Sequence, residues 1–140
     1  MFMRLSFQIV LALYLGLLTI YAGAINFYDP SLILASAYNL DFNNLDNSVQ
    51  QAYAAQIRIL SALWIIAGFA ILLSVKNFES HAGIIRLVLF GTTLGVVGQL
   101  ISVYELGGEL NAIAIKCVIT AIICVTIEIW RIYLVRKKVL

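Results

Sequence analysis

The sequence predicts an all-α integral membrane protein, a four-helix up-down-up-down bundle, and three observations support this prediction. Of its 140 residues, 63% are hydrophobic and only 11% are charged, whereas a soluble domain carries about 25% charged residues. Four apolar stretches each have the ~17–25 residues that one bilayer crossing requires. Two of the three connections between them are short, which makes the helices that they join antiparallel neighbours.

The four predicted spans form one transmembrane domain that covers almost the whole chain. They run over about residues 5–26, 53–75, 84–104 and 111–135. Transmembrane strands are not predicted, because no segments of about ten alternating residues occur. The composition excludes a soluble globule, a disordered chain and a nucleic-acid-binding module, which would need clustered Lys and Arg on a wettable face.

The connection between the first two spans is long, at about 26 residues, and it contains no Lys or Arg. Asp29-Pro30 predicts the start of a short interfacial helix, with Asp as the N-cap and Pro at the first helical position. This helix is expected to end near Asn39. Further on, Ser48 followed three residues later by Gln51 resembles a capping box, which predicts the start of the second long helix.

The basic residues near the ends of the predicted spans lie on one side of the bundle. They precede the first span, flank the second connection and close the fourth span: Arg4, Lys76, Arg86, Arg131, Arg136, Lys137 and Lys138. The other two connections carry acidic residues instead. Because cytoplasmic loops carry the excess of Lys and Arg, both termini are predicted to be cytoplasmic and the long connection to face outward.

Glycines recur at helical spacing along the first three spans. Small residues let membrane helices approach closely, since lipid supplies no hydrophobic force between them. We therefore predict five helix-packing positions, of which the last two form a GxxxG pattern: Gly16, Gly23, Gly68, Gly91 and Gly95.

Three ionisable residues lie close to the predicted cytoplasmic boundary. Arg86 begins the third span, and Glu128 and Arg131 end the fourth. Long side chains at this depth can reach the interface, so Arg86 is interpreted either as an anchor or as a partner of Glu128. Glu128 can also pair with Arg131. We predict an interfacial ion pair among these residues.

Two further cations, Arg58 and Lys116, are predicted about a turn and a half inside the outer boundary. Charges inside a bilayer tend to face the bundle interior and to mark function. Together with nearby polar residues they predict an outward-facing ligand pocket, formed by Asn26, Arg58, Gln99, Ser102, Asn111 and Lys116. Either an anion, such as a lipid headgroup or an anionic small molecule, binds there, or acidic loop residues neutralise the two cations and the cluster only packs.

Catalytic and metal-binding patterns are largely absent from the sequence. His81 is the one histidine and lies in a predicted cytoplasmic connection, so no histidine is expected near a membrane-embedded nucleophile. Cys117 and Cys124 are seven residues apart, a poor spacing for a metal site. The sequence predicts no catalytic site, no cofactor and no metal.

The order of these features resembles the bacterial four-helix membrane protein family of domain of unknown function four-three-four-five. The matching elements are Asp29-Pro30 after the first span, Gln56-Ile57-Arg58 leading into a helix with Ala67-Gly68, and the glycine-rich third span. Family members tend to carry an arginine late in the third span and a glutamate in the fourth, where this chain has Gln99 and Lys116. The resemblance implies a four-helix bundle in the bacterial inner membrane and assigns no activity.

Two functions are therefore expected. The first is a non-enzymatic accessory protein that lies in the lipid bilayer and binds a membrane protein partner, a second copy of itself, or a lipid. The alternative is a transporter or enzyme that acts on an anionic or lipidic ligand at the outward-facing pocket. Nucleic acid is not an expected partner.

Overall fold

The computed structural model describes residues 2–33, 35, 41–105 and 112–139. Within these ranges, side chains are described except at positions 99, 102, 103, 105, 112–114, 116, 117, 138 and 139. All regular secondary structure in the described ranges is helical, which confirms the predicted all-α class. The elements are α1 (Phe2–Val10), a π-helical segment (Leu11–Leu17), α2 (Leu18–Tyr28), α3 (Ser31–Ile33), a 3-10 turn (Phe42–Asn44), α4 (Asn47–Ser74), α5 (Ala82–Glu105) and α6 (Ala112–Val139).

Among the residues that the structure describes, three helices are long and apolar enough to cross a membrane. They are Phe2–Tyr28, Asn47–Ser74 and Val118–Lys137. The shorter apolar helical segment Ala82–Gly98 lies within α5. These helices contain the first predicted span, all but the last residue of the second, and most of the third and fourth, because runs of about 20 apolar residues are a strong signal for membrane helices.

The first helical run, Phe2–Tyr28, consists of α1, the π-helical segment and α2. Asp29 is its C-cap. The Asp29 backbone N–H donates to the Ile25 carbonyl at 2.8 Å, and Pro30 has no N–H to continue the helix. Asp29 then caps the next turn, since its Oδ1 accepts from the Ser31 backbone N–H at 3.0 Å. The helical turn α3 follows at Ser31–Ile33. Most of the predicted interfacial helix, at positions 34 and 36–40, lies outside the described residues, so that helix stays a prediction.

The start of α4 differs from the sequence prediction. The helix begins at Asn47, so the prediction that Ser48 caps it is wrong. The Asp46 carbonyl accepts the Gln50 backbone N–H at 2.9 Å, which makes the first helical hydrogen bond. The Gln50 side chain, not Gln51, reaches back and donates to the Leu45 carbonyl at 2.7 Å.

The chain divides into two compact units. The central unit is Ala12–Leu73, and the terminal unit is Met1–Leu11 with Ser74–Leu140. In the central unit, the first helical run and α4 pack antiparallel: Gly23 lies against Ser61 and Ile65, and Gly16 lies against Leu72. Rising residue numbers on one helix meet falling numbers on the other, as expected for neighbouring helices of opposite direction.

The terminal unit has an aromatic centre. Phe7 is fully buried, and its ring lies 4.9 Å from Phe78 and 5.3 Å from Trp130 between centroids. The Gln8 Nε2 group donates to the Val75 carbonyl at 3.2 Å. These contacts attach α1 to the turn before α5 and to α6, while α5 and α6 run antiparallel beside each other.

Candidate functional site

A cluster of three charged side chains joins α5 to α6. Arg131 donates from Nε to Glu128 Oε2 at 2.7 Å and from Nη2 to Oε1 at 2.6 Å. Arg86 donates from Nε to the same Oε1 at 2.8 Å. The structure thus brings together all three residues of the predicted interfacial ion pair. Both oxygens of the carboxylate are occupied, and one of them accepts two charge-assisted hydrogen bonds.

Helical spacing explains this arrangement. Glu128 and Arg131 are three residues apart on α6, so their side chains share one face. Arg86 lies in the second turn of α5, which runs antiparallel to α6 and places its side chain opposite Glu128. Helix α5 therefore supplies one cation, and α6 supplies the carboxylate and the second cation.

The two arginines differ strongly in exposure. The Arg131 side chain is only 4% exposed and makes two hydrogen bonds with Glu128, whereas the Arg86 side chain is 60% exposed. Arg86 uses its Nε, and its two terminal nitrogens make no hydrogen bond within the described part of the chain. Arg131 is therefore a buried structural cation, and Arg86 retains donors for another group.

A cleft of about 320 Å³ opens beside this cluster. Its walls are mostly apolar, and its charged end is formed by the cluster: the lining residues are Arg86, Leu89, Phe90, Thr93, Cys124, Val125 and Glu128. The Thr93 hydroxyl donates to the Leu89 carbonyl at 2.8 Å, so it presents little polarity to the cleft. The cleft joins a cationic end to an apolar wall.

Comparisons with known proteins found no relative of this chain. No protein-family model, curated protein or solved structure matches it. The resemblance to the family of domain of unknown function four-three-four-five therefore stays a prediction. We interpret the site from the geometry and chemistry of its own side chains.

This geometry provides groups that can bind a ligand. Cys124 is buried beside Thr93, and Glu128, one helical turn further along α6, is paired with both Arg86 and Arg131. Among the described residues, no group of three or more His, Cys, Asp or Glu side chains could hold a metal ion. The cluster can recognise an anion, since its exposed arginine carries unused N–H donors.

The five predicted glycine positions fall into two groups. A Cβ added at Gly16, Gly23 or Gly68 would lie 2.5–2.9 Å from atoms of the facing helix or its side chains. A Cβ added at Gly91 or Gly95 would meet nothing within 4 Å among the described residues. The first three glycines therefore permit close helix packing, whereas the two GxxxG glycines have no close neighbour among the described residues.

The structure describes the side chains of two of the six residues of the predicted outward-facing pocket. Asn26 donates from Nδ2 to the Ala22 carbonyl at 2.8 Å, within its own helix. Arg58 is exposed and donates from Nε to the Phe27 carbonyl at 3.4 Å. The other four side chains lie outside the description, at Gln99, Ser102, Asn111 and Lys116, so the pocket stays a prediction.

The sequence prediction identified the ion pair but missed the cleft. The spacing of the residues that line the cleft could have indicated it. Leu89 and Thr93 follow one face of α5, and Cys124 and Glu128 follow one face of α6 at the same four-residue interval. Two such faces on antiparallel neighbours predict a shared surface, but the width of the gap between them depends on packing that the sequence does not specify.

Proposed function

We propose that this chain is a small non-enzymatic protein of the bacterial inner membrane, a four-helix up-down-up-down bundle with both termini cytoplasmic. Its role is to associate with another membrane helix, in the first instance that of a second copy of itself. The resemblance to the family of domain of unknown function four-three-four-five supports this architecture. The one-sided distribution of Lys and Arg supports the orientation.

One observation carries the proposed association: the GxxxG glycines of α5 are open. Gly91 and Gly95 have no described neighbour within 4 Å of an added Cβ, whereas the glycines of the central unit are enclosed. Leu87 and Leu94 are also strongly exposed on α5. In lipid, small residues on an open helix face let a second helix approach closely and gain van der Waals contact.

We expect Gly91→Ile to weaken self-association of the protein in lipid bilayers about fivefold, since a bulky side chain prevents close approach of the helix backbones. The measurement is Förster transfer between donor- and acceptor-labelled copies in liposomes, at increasing dilution of protein in lipid.

Gly83→Ile is the matched control, because it is the same substitution at another open glycine of α5, about two helical turns earlier. It is expected to leave the transfer curve unchanged. Wild-type protein that shows no transfer above random proximity at any dilution would contradict the proposed self-association. Equal effects of the two substitutions would contradict the role of the GxxxG pattern.

The alternative is a transporter or enzyme that acts on an anionic or lipidic ligand at the outward-facing pocket. One observation favours this alternative: the Arg58 side chain is exposed and forms no ion pair within the described residues. A guanidinium in an apolar helix without a carboxylate is a candidate anion site. Native mass spectrometry of protein extracted in nanodiscs distinguishes the two functions, since a retained small anion supports the pocket and a dimer supports association.

A further inference from the structure

We infer that the cleft between α5 and α6 binds an anionic phospholipid, with the lipid phosphate on Arg86 and part of one acyl chain against Phe90 and Val125. This site uses none of the residues of the predicted outward-facing pocket. It uses different residues from the proposed association through Gly91 and Gly95.

The charge balance of the cluster favours an anion. Two guanidinium groups surround one carboxylate, which leaves one net positive charge. Arg131 is buried and held by both oxygens of Glu128, so the excess charge is available at Arg86, whose side chain is 60% exposed. Its terminal nitrogens present parallel N–H donors, a geometry that matches two oxygens of a phosphate group.

The walls of the cleft favour a ligand that is apolar beyond its charged group. Phe90 and Val125 are 62% and 55% exposed, respectively, and both line the cleft with Leu89. At about 320 Å³, the volume is near the lower end of the ~300–1,000 Å³ range of ligand pockets. A phosphate with the glycerol carbons and the start of one chain is of a suitable size, whereas a free phosphate would leave the apolar walls uncovered.

The surroundings of the cluster favour an anionic lipid over a zwitterionic one. Lys76, Arg136 and Lys137 belong to the same terminal unit as the cleft. Arg136 and Lys137 lie in the last turn of α6, and Lys76 lies in the connection that precedes α5. Basic residues near a membrane surface attract anionic headgroups, at about 1 kcal/mol for each Lys or Arg. A zwitterionic headgroup would place its own ammonium group among these cations.

The test is native mass spectrometry of the full chain with two defined lipids of identical acyl chains, phosphatidylglycerol and phosphatidylcholine. Wild-type protein is expected to retain phosphatidylglycerol in preference to phosphatidylcholine. Arg86→Gln is expected to reduce retention of phosphatidylglycerol about tenfold, because hydrogen bonds between charged groups are about twice as strong as neutral ones. The variant should fold, since Glu128 keeps its paired contact with Arg131.

Two further variants separate the site from general surface charge. Arg136→Gln removes the same charge from an exposed position that does not line the cleft, and it is expected to change retention about fivefold or less, because a single exposed charge contributes ~1 kcal/mol or less. Val125→Trp fills the cleft without changing its charge and is expected to reduce retention of phosphatidylglycerol. Far-UV circular dichroism reports whether each variant keeps its helices.

The following results would overturn the inference. Equal retention of the two lipids by wild-type protein would show that the cleft does not select an anionic headgroup. Equal losses with Arg86→Gln and Arg136→Gln would show that surface charge alone attracts the lipid. If millimolar glycerol phosphate displaces phosphatidylglycerol completely, the site recognises a free phosphate ester and the acyl chain has no part in binding.

Discussion

Replacement of Glu128 by glutamine is expected to lower the free energy of unfolding by about 3 kcal/mol, at the lower end of the range for breaking a buried ion pair. The substitution keeps the size of the side chain and removes its charge. In this variant the Arg131 side chain, which is only 4% exposed, keeps its positive charge but has lost the carboxylate of Glu128. Arg86 adds a second positive charge nearby, so the neutral amide leaves two cations facing each other across α5 and α6.

The measurement is reversible unfolding in mixed micelles with increasing mole fraction of sodium dodecyl sulfate, followed by helical circular dichroism. Arg86→Gln is the control, with an expected loss below about 1 kcal/mol, because Arg86 is mostly exposed and exposed pairs contribute little. A double variant, Glu128→Gln with Arg131→Met, is expected to recover most of the lost stability, because it removes the uncompensated charge and keeps an apolar stem in place.

A loss below 1 kcal/mol for Glu128→Gln would show that the cluster is a solvated surface pair. A double variant as unstable as the sum of its single variants would show that Glu128 stabilises the protein through contacts other than Arg131. Either result contradicts our interpretation of this cluster as a buried pair with one exposed additional cation.

Much of the helical architecture could be predicted because bilayer thickness sets a length that the sequence must match. The apolar runs that predict the first two spans correspond to Phe2–Tyr28 and Asn47–Ser74. The ion pair was predictable for a related reason. A charge is costly in an apolar helix, so Glu128 requires a cation at its own depth, and few positions offer one.

The π-helical segment Leu11–Leu17 could not be predicted from the sequence. Its residues are mostly leucine, with Ala12, Tyr14 and Gly16, and leucine and alanine are strong α-helix formers. A π-helical turn forms where backbone groups five residues apart, rather than four, are hydrogen-bonded within an otherwise α-helical run. Such turns are frequently found at functional sites. Periodicity places the run on a helix but does not distinguish the two hydrogen-bond patterns over so few residues.

The different surroundings of the glycines also could not be predicted from the sequence. Gly68 and Gly91 occur in similar apolar helices with small residues at helical spacing, and the sequence predicts packing for both. The structure encloses Gly68 against Gly16 and Ile20, and leaves Gly91 open. Which face of a membrane helix meets a neighbour depends on the rotation of the whole helix, which no single residue determines.

Substitution of Gly68 by alanine is expected to lower the free energy of unfolding by about 2 kcal/mol, within the ~1–3 kcal/mol range for overpacking. The added Cβ would lie 2.7 Å from the Gly16 carbonyl oxygen, 2.6 Å from Ile20 Cγ1 and 3.1 Å from the Ile20 backbone nitrogen. A side chain could rotate away, but two of these atoms belong to the backbone of the facing helix. The helices must separate, and they lose the close contact that stabilises membrane helix pairs.

Gly91→Ala is the matched control, since the substitution is the same and only the surroundings differ. Its Cβ meets nothing within 4 Å among the described residues, and alanine gains up to about 1 kcal/mol over glycine within a helix. The unfolding free energies measured in the same mixed micelles should therefore change in opposite directions. Two changes of the same sign and size would show that helix propensity alone decides the outcome, and that the first helical run and α4 do not pack closely at Gly68.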